Sequence, residues 1–246
     1  MRFNQHLPSL FTLINLFLGF ITVINIHVGN NVIACYVLLV AGAFDSVDGK
    51  LARMLGIPTN FGKEIDSLAD MVSFCLAPAF LVYAIYTHNM PGISGEIIAS
   101  VPLIMGAIRL ARFNVIDDQP TDSFIGLPTP VNALAIASLI LFMEHIKLTN
   151  PEYSQPRLIL PLILSLSYLM VSRVQYPKFP ILKFKVSKQN NYRLCGVILF
   201  IFCFSISIVT GYSYQVMIYF IAFYIFSGLG MHIINLGNIE TNSQEI

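Results

Sequence analysis

The chain has 246 residues, 56% of them hydrophobic and 11% charged, with a mean hydropathy of +0.72 and a formal net charge of +1. Soluble domains carry roughly 25% charged residues, so this composition excludes a soluble globular enzyme and places the chain in a bilayer. No nucleic-acid partner is expected, and Cys35, Cys75, Cys195 and Cys203 lack paired metal spacing and sit in or beside apolar stretches, where cysteine acts as a small hydrophobe.

A membrane-spanning helix needs ~20 mostly apolar residues. In chain order, eight such stretches centre near Phe17, Leu39, Phe74, Ile104, Ser138, Leu164, Phe200 and Ala222, the fourth and sixth being the weakest. The first follows only Met1 to Leu7, with one positive charge and no small-residue cleavage site, so it is expected to remain as an anchor. The connections are short: His27 to Asn31, Gly56 to Asn60, Tyr86 to Gly95, Val115 to Gly126, Lys147 to Pro156, Arg173 to Asn191 and Gly211 to Tyr214. Their polar and Gly/Pro content ends each helix. No linker, low-complexity segment or repeat divides the chain. The expectation is an all-α polytopic transmembrane bundle of about eight helices, one domain over residues 1–246, with a polar tail from about residue 236.

Lys and Arg in short loops set orientation, because cytoplasmic loops retain positive charge. With eight spans, one side holds Arg2, Lys50, Arg53, Lys63, Arg109, Arg112, Arg173, Lys178, Lys183, Lys185, Lys188 and Arg193, and the other only Lys147 and Arg157. Both termini are therefore expected on the cytoplasmic side.

Ionisable residues inside a span cost ~2.5 to 3.5 kcal/mol each on insertion scales and usually mark function. They concentrate at the end of the second stretch, Asp45-Ser-Val-Asp48-Gly49-Lys-Leu-Ala52-Arg53, and the start of the third, Gly62-Lys-Glu-Ile-Asp66-Ser-Leu-Ala-Asp70. On a helix, Asp45, Asp48, Gly49, Ala52 and Arg53 share one stripe, and Asp66 stacks on Asp70. Gly56 and Pro58 break the chain between them, so an antiparallel hairpin can gather four carboxylates at one membrane face. Two divalent cations balance such a cluster, and an all-oxygen site selects hard ions: Mg²⁺, Mn²⁺ or Ca²⁺. Gly49 and Ala52 leave room for a nucleotide or diphosphate to approach the backbone, and Arg53 can clamp a phosphate. Structural pairing of the acids with Lys50, Arg53 and Lys63 is the rival reading, but four spaced acids beside two small residues exceed what pairing needs.

The pattern Asp-x2-Asp-Gly-x2-Ala-Arg-x8-Gly-x3-Asp-x3-Asp, filled from Asp45 through Gly62 to Asp70, resembles the signature of the CDP-alcohol phosphatidyltransferase family. The resemblance implies two metal ions, Mg²⁺ or Mn²⁺, among the four aspartates, a CDP-linked diphosphate over them, and attack on phosphorus by an alcohol as CMP leaves. Asp45, Asp48 and Asp66 would hold metal, and Asp70 would hold the second ion or act as base. It also implies a homodimer.

Three further segments resemble the phosphatidylserine synthase branch of that family: Leu7-Pro-Ser-Leu-Phe-Thr12-Leu-Ile-Asn15-Leu-Phe-Leu-Gly19, Asp66-Ser-Leu-Ala-Asp70-Met-Val-Ser-Phe74, and Arg109-Leu-Ala-Arg112-Phe-Asn114 followed by Gly126-Leu-Pro-Thr-Pro130. Cys75 stands where glycine is expected. On this reading the substrates are CDP-diacylglycerol and L-serine, and the protein sits in the inner membrane among its lipids. Arg109 and Arg112, three apart, are candidates for the serine carboxylate, with Asn114 as a further polar contact. Thr12 and Asn15 share a face and can bond the nucleotide or a site carboxylate, or another helix. The rival functions are transfer to glycerol-3-phosphate or inositol phosphate, which asks for more positive charge, and cation-coupled transport, which usually brings repeats and mid-bilayer acids.

Overall fold

The structure, a computed structural model, describes residues 7–55, 60–116, 123–150, 152, 156–177, 188–210 and 212–244. The chain divides into two compact units, Met1–Asp118 with Pro128–Val171, and Gln119–Leu127 with Ser172–Ile246. The first contains α1 (Leu7–His27), α2 (Asn31–Leu55), α3 (residues 60–87), α4 (Ser94–Ile116), α5 (Thr129–Thr149) and α6 (Pro156–Val171). The second contains β1 (Ser123–Ile125), β2 (Gln175–Pro177), α7 (Lys188–Thr210) and α8 (Ser213–Gln244). Eight helices among the described residues thus fall on the eight apolar stretches.

Five helices are long and apolar enough to cross a membrane, over Leu10–His27, Phe61–Thr87, Ser94–Val115, Thr129–Thr149 and Tyr214–Ile234. The apolar parts of the others are shorter: Asn31–Ser46 in α2, where the acids begin, Leu158–Val171 in α6 and Leu194–Phe204 in α7. The sixth stretch is short, as its composition suggests, whereas the fourth runs to 22 residues and qualifies.

Helix α1 shows why the bundle belongs in lipid. Its buried stripe is Thr12, Asn15, Gly19, Thr22 and Ile26, spaced three and four apart, while Leu13, Phe17, Phe20 and Ile24 on other faces are exposed. Small and polar residues face inward and large apolar ones outward, the reverse of a water-soluble helix. The small inner face admits close packing on α2 and α3. A Cβ on Gly19 would overlap Ser73 Oγ of α3, and that hydroxyl donates to the Asn15 carbonyl at 2.9 Å.

Helix α3 widens into a π-helical segment, Met71–Leu76, directly after Asp70. Pro78 accounts for it: a proline gives no N–H to the carbonyl four residues back, here that of Phe74, and its ring crowds a regular α turn. Cys75 lies in this segment, buried against Gly106 of α4, where any Cβ would overlap its sulfur. The bulk that Cys75 adds on α3 is thus matched by the absence of a side chain on α4. Helix α5, with Ala133, Ala135, Ala137 and Ser138 buried alongside Ile136 and Ile140, lies in the interior of the first unit.

In the second unit β1 and β2 form a two-stranded antiparallel ribbon, with Phe124 opposite Tyr176 and Ile125 opposite Gln175. The sequence predicts only loops there, because three residues are too few to display strand alternation. Gly126 follows at φ +80°, a turn conformation that glycine adopts without strain, and its N–H donates to the Val174 carbonyl at 2.8 Å. Tyr176 is fully buried, stacks on Tyr224 of α8 at 5.7 Å between centroids, and fills the space over Gly228. Burial pushes its phenol up to about 12.

Candidate metal centre

The acids meet within the first unit. Asp45 comes from α2, where the apolar part of the helix gives way to charge, and Asp66 and Asp70 come from consecutive turns of α3. One carboxylate oxygen from each of Asp45, Asp66 and Asp70 lies within 4.8 Å of the others. Two unit charges at that distance repel by about 3 kcal/mol even at an effective dielectric of ~20. The cluster therefore favours a balancing cation, and its oxygen-only donors fit a hard divalent one.

Asp48, Gly49, Ala52 and Arg53 continue α2 beyond Asp45, and their side chains lie outside the described ones, as do residues 56–59 of the connection. Gly62 lies in the first turn of α3 and is partly buried. Thr12 and Asn15 lie on the inward stripe of α1, which packs against both acid-bearing helices. Neither atom of the Asn15 amide has a hydrogen-bond partner among the described residues, although the side chain is fully buried.

The two arginines of α4 part company. Arg109 is buried, and its Nη1 donates to Thr129 Oγ1 at 3.3 Å; the same hydroxyl donates to Asp70 Oδ2 at 3.3 Å. Arg112 is half-buried and its Nη1 donates to the Val171 carbonyl at the end of α6, 3.1 Å away. Expected to face one direction, the pair is split by what packs beside it: positions three apart lie only about 60° apart on a helix, but Arg109 reaches Thr129 at the start of α5 and Arg112 the Val171 carbonyl at the end of α6. Asn114 Nδ2 donates to Ser67 Oγ at 3.0 Å, next to Asp66 in the chain. Phe113 carries Lys63 and Arg109 near its ring, at 5.8 and 5.9 Å from the centroid.

Two residues of α5 are not singled out by the sequence. Thr129 sits inside the Gly126–Pro130 segment, which reads as a helix start whose free N-terminus can receive an anion, but nothing in the sequence says which helix its own hydroxyl faces. Asn132, one turn on, is fully buried with both amide atoms lacking partners among the described residues. An uncompensated polar group of this kind costs about 1–3 kcal/mol. Its signal was a lone amide inside an apolar span.

Known proteins resemble the chain across this same region. The profile of the CDP-alcohol phosphatidyltransferase family matches residues 5–172. A CDP-diacylglycerol–serine O-phosphatidyltransferase of Helicobacter pylori is 34% identical over 180 residues, covering 73% of this chain and 75% of the relative. An archaetidylserine synthase of Methanothermobacter thermautotrophicus is 34% identical over 176 residues, 70% of each chain. A CDP-diacylglycerol–serine O-phosphatidyltransferase of Bacillus subtilis is 30% identical over 176 residues, 71% of this chain and 92% of that one. The matched region contains Asp45, Asp66, Asp70, Arg109 and Thr129, and the chain belongs to the CDP-alcohol phosphatidyltransferase family.

Proposed function

We propose that the protein transfers the phosphatidyl group of CDP-diacylglycerol to the hydroxyl of L-serine, releasing CMP. The observation that carries the acceptor is Arg109: a buried guanidinium joined through one hydroxyl to Asp70, inside a cluster of three acids. A single guanidinium can receive a single carboxylate through paired hydrogen bonds. The names of the relatives favour the same acceptor over glycerol-3-phosphate or inositol phosphate, and a nucleotide-dependent transferase over a transporter.

On this reading Asp45, Asp48, Asp66 and Asp70 hold two Mg²⁺ or Mn²⁺ ions. When bound, such ions neutralise the diphosphate and the charge that develops on the transferred phosphorus. Gly49, Ala52 and Gly62 line the nucleotide side without bulk, Arg53 faces phosphate, and Thr12 and Asn15 offer hydrogen bonds to the CDP end. Arg109 orients serine by its carboxylate. Serine oxygen forms the new P–O bond, the bond to CMP oxygen breaks with its electron pair, and Asp70 accepts the hydroxyl proton. Asn114 and Arg112 support this side from Ser67 and the end of α6. The twelve-to-two distribution of basic residues favours an active site and both termini on the cytoplasmic side of the inner membrane. The working form is a homodimer of one-domain chains surrounded by lipid.

The test is CMP release by the purified protein with CDP-diacylglycerol and Mn²⁺ or Mg²⁺, offering serine, glycerol-3-phosphate and inositol phosphate separately, with Asp70→Asn as control. Release with serine alone, lost in the variant, is the expected result. Release only with a phosphorylated acceptor overturns the serine assignment, and metal-dependent ion uptake into proteoliposomes without CMP release overturns the transferase.

A further inference from the structure

Thr129 occupies the first residue of α5, is fully buried, and touches the two charged groups that the proposed chemistry uses. A hydroxyl has one hydrogen to give. Guanidinium only donates and carboxylate only accepts, so the direction of the chain is forced: Arg109 Nη1 to Thr129 Oγ1, then Thr129 Oγ1 to Asp70 Oδ2, each 3.3 Å. The methyl of Thr129 points toward Gly106 of α4, 3.8 Å from where a Cβ would stand. A β-branched side chain has few rotamers, so with its methyl toward Gly106 the hydroxyl is left to lie between Arg109 and Asp70.

We propose that Thr129 is a positioning residue that couples the acceptor-binding arginine to the acid cluster. By engaging Oδ2 of Asp70 it leaves Oδ1 as the oxygen offered to a cation beside Asp45 and Asp66. By accepting from Arg109 it holds the guanidinium in register with the same carboxylate. The helices carrying these groups, α3, α4 and α5, are separate in sequence, and Thr129 is a side chain that bonds to both of the other two. The acceptor half of this inference rests on the serine reading; the cation half does not.

The experiment compares full-length wild type, Thr129→Val, which removes the hydroxyl at nearly equal volume, and Thr129→Ser, which keeps it. Mn²⁺ binding is followed by loss of the free-ion electron paramagnetic resonance signal, with no lipid and no serine present. Partners that orient metal ligands are worth ~10- to 100-fold in affinity, so Thr129→Val is expected to bind Mn²⁺ about tenfold more weakly, with Thr129→Ser close to wild type. In the CMP-release assay Thr129→Val raises KM for serine by about the same factor and leaves KM for CDP-diacylglycerol unchanged. Mn²⁺ affinity at or above wild type in Thr129→Val overturns the proposal. So does Thr129→Ser binding as weakly as Thr129→Val, or fewer sites at unchanged affinity, the mark of a misfolded fraction. A wild type that binds Mn²⁺ yet releases no CMP with serine overturns the acceptor instead, and the Mn²⁺ comparison still decides Thr129.

Discussion

Gly106→Ala adds one methyl group at the contact between α4 and α3, where a Cβ would overlap Cys75 Sγ and approach the sulfur-bearing carbon too. Both sides are buried, and the obstacle belongs to a short side chain with little freedom to retreat. Overpacking of this kind costs about 1–3 kcal/mol. For a chain of this length that corresponds to a fall in melting temperature of about 2–12 °C. Cys75→Ala alone, losing one buried sulfur, is worth about 1 kcal/mol. The double variant removes the overlap, so it should melt above Gly106→Ala, with a coupling energy of about 1–3 kcal/mol between the two sites. Thermal unfolding in detergent, followed by circular dichroism at the helical band, measures all four proteins. CMP release should follow the same order, because Gly106 lies one turn before Arg109 and Cys75 just beyond Asp70, so forcing α4 from α3 stretches the bonds through Thr129. Additive losses, or a Gly106→Ala protein that melts with wild type, would refute the packing account.

Asp66→Asn should lower CMP release by about 10²- to 10³-fold, and chelation should abolish release until Mg²⁺ or Mn²⁺ is restored; full activity in chelator would remove the metal from the mechanism. Arg109→Lys keeps the charge but loses the planar fork, so KM for serine should rise about tenfold, whereas Arg112→Gln should leave that KM unchanged and lower the melting temperature, since Arg112 holds the Val171 carbonyl. In the ribbon, Tyr176→Phe should be neutral or slightly stabilising, because the buried phenol oxygen has no hydrogen-bond partner among the described residues. Tyr176→Ala should cost about 3–5 kcal/mol through the cavity left against Tyr224 and Gly228. Comparable melting curves for wild type and Tyr176→Ala would show that the ribbon is not anchored by this ring.

What the sequence determined by itself follows from short-range rules. Bilayer thickness makes apolar length a direct count of helices, so eight stretches were legible, and helical periodicity places Asp66 and Asp70 on one face without reference to any other element. The spacing from Asp45 to Asp70 also carried the family. Tertiary structure decided the rest, because it depends on which faces of distant helices meet. Arg109 and Arg112 look equivalent three residues apart, yet the neighbours of α4 send one to Thr129 and the other to Val171. Cys75 looks like a departure from the expected glycine until Gly106 appears opposite it, 31 positions along the chain. Thr129 reads as the start of a helix until its hydroxyl is found between a guanidinium and a carboxylate, 20 and 59 residues away in sequence. Local pattern records how a residue faces within its own helix; only packing assigns what stands across from it, and in this protein the chemistry depends on that second relation.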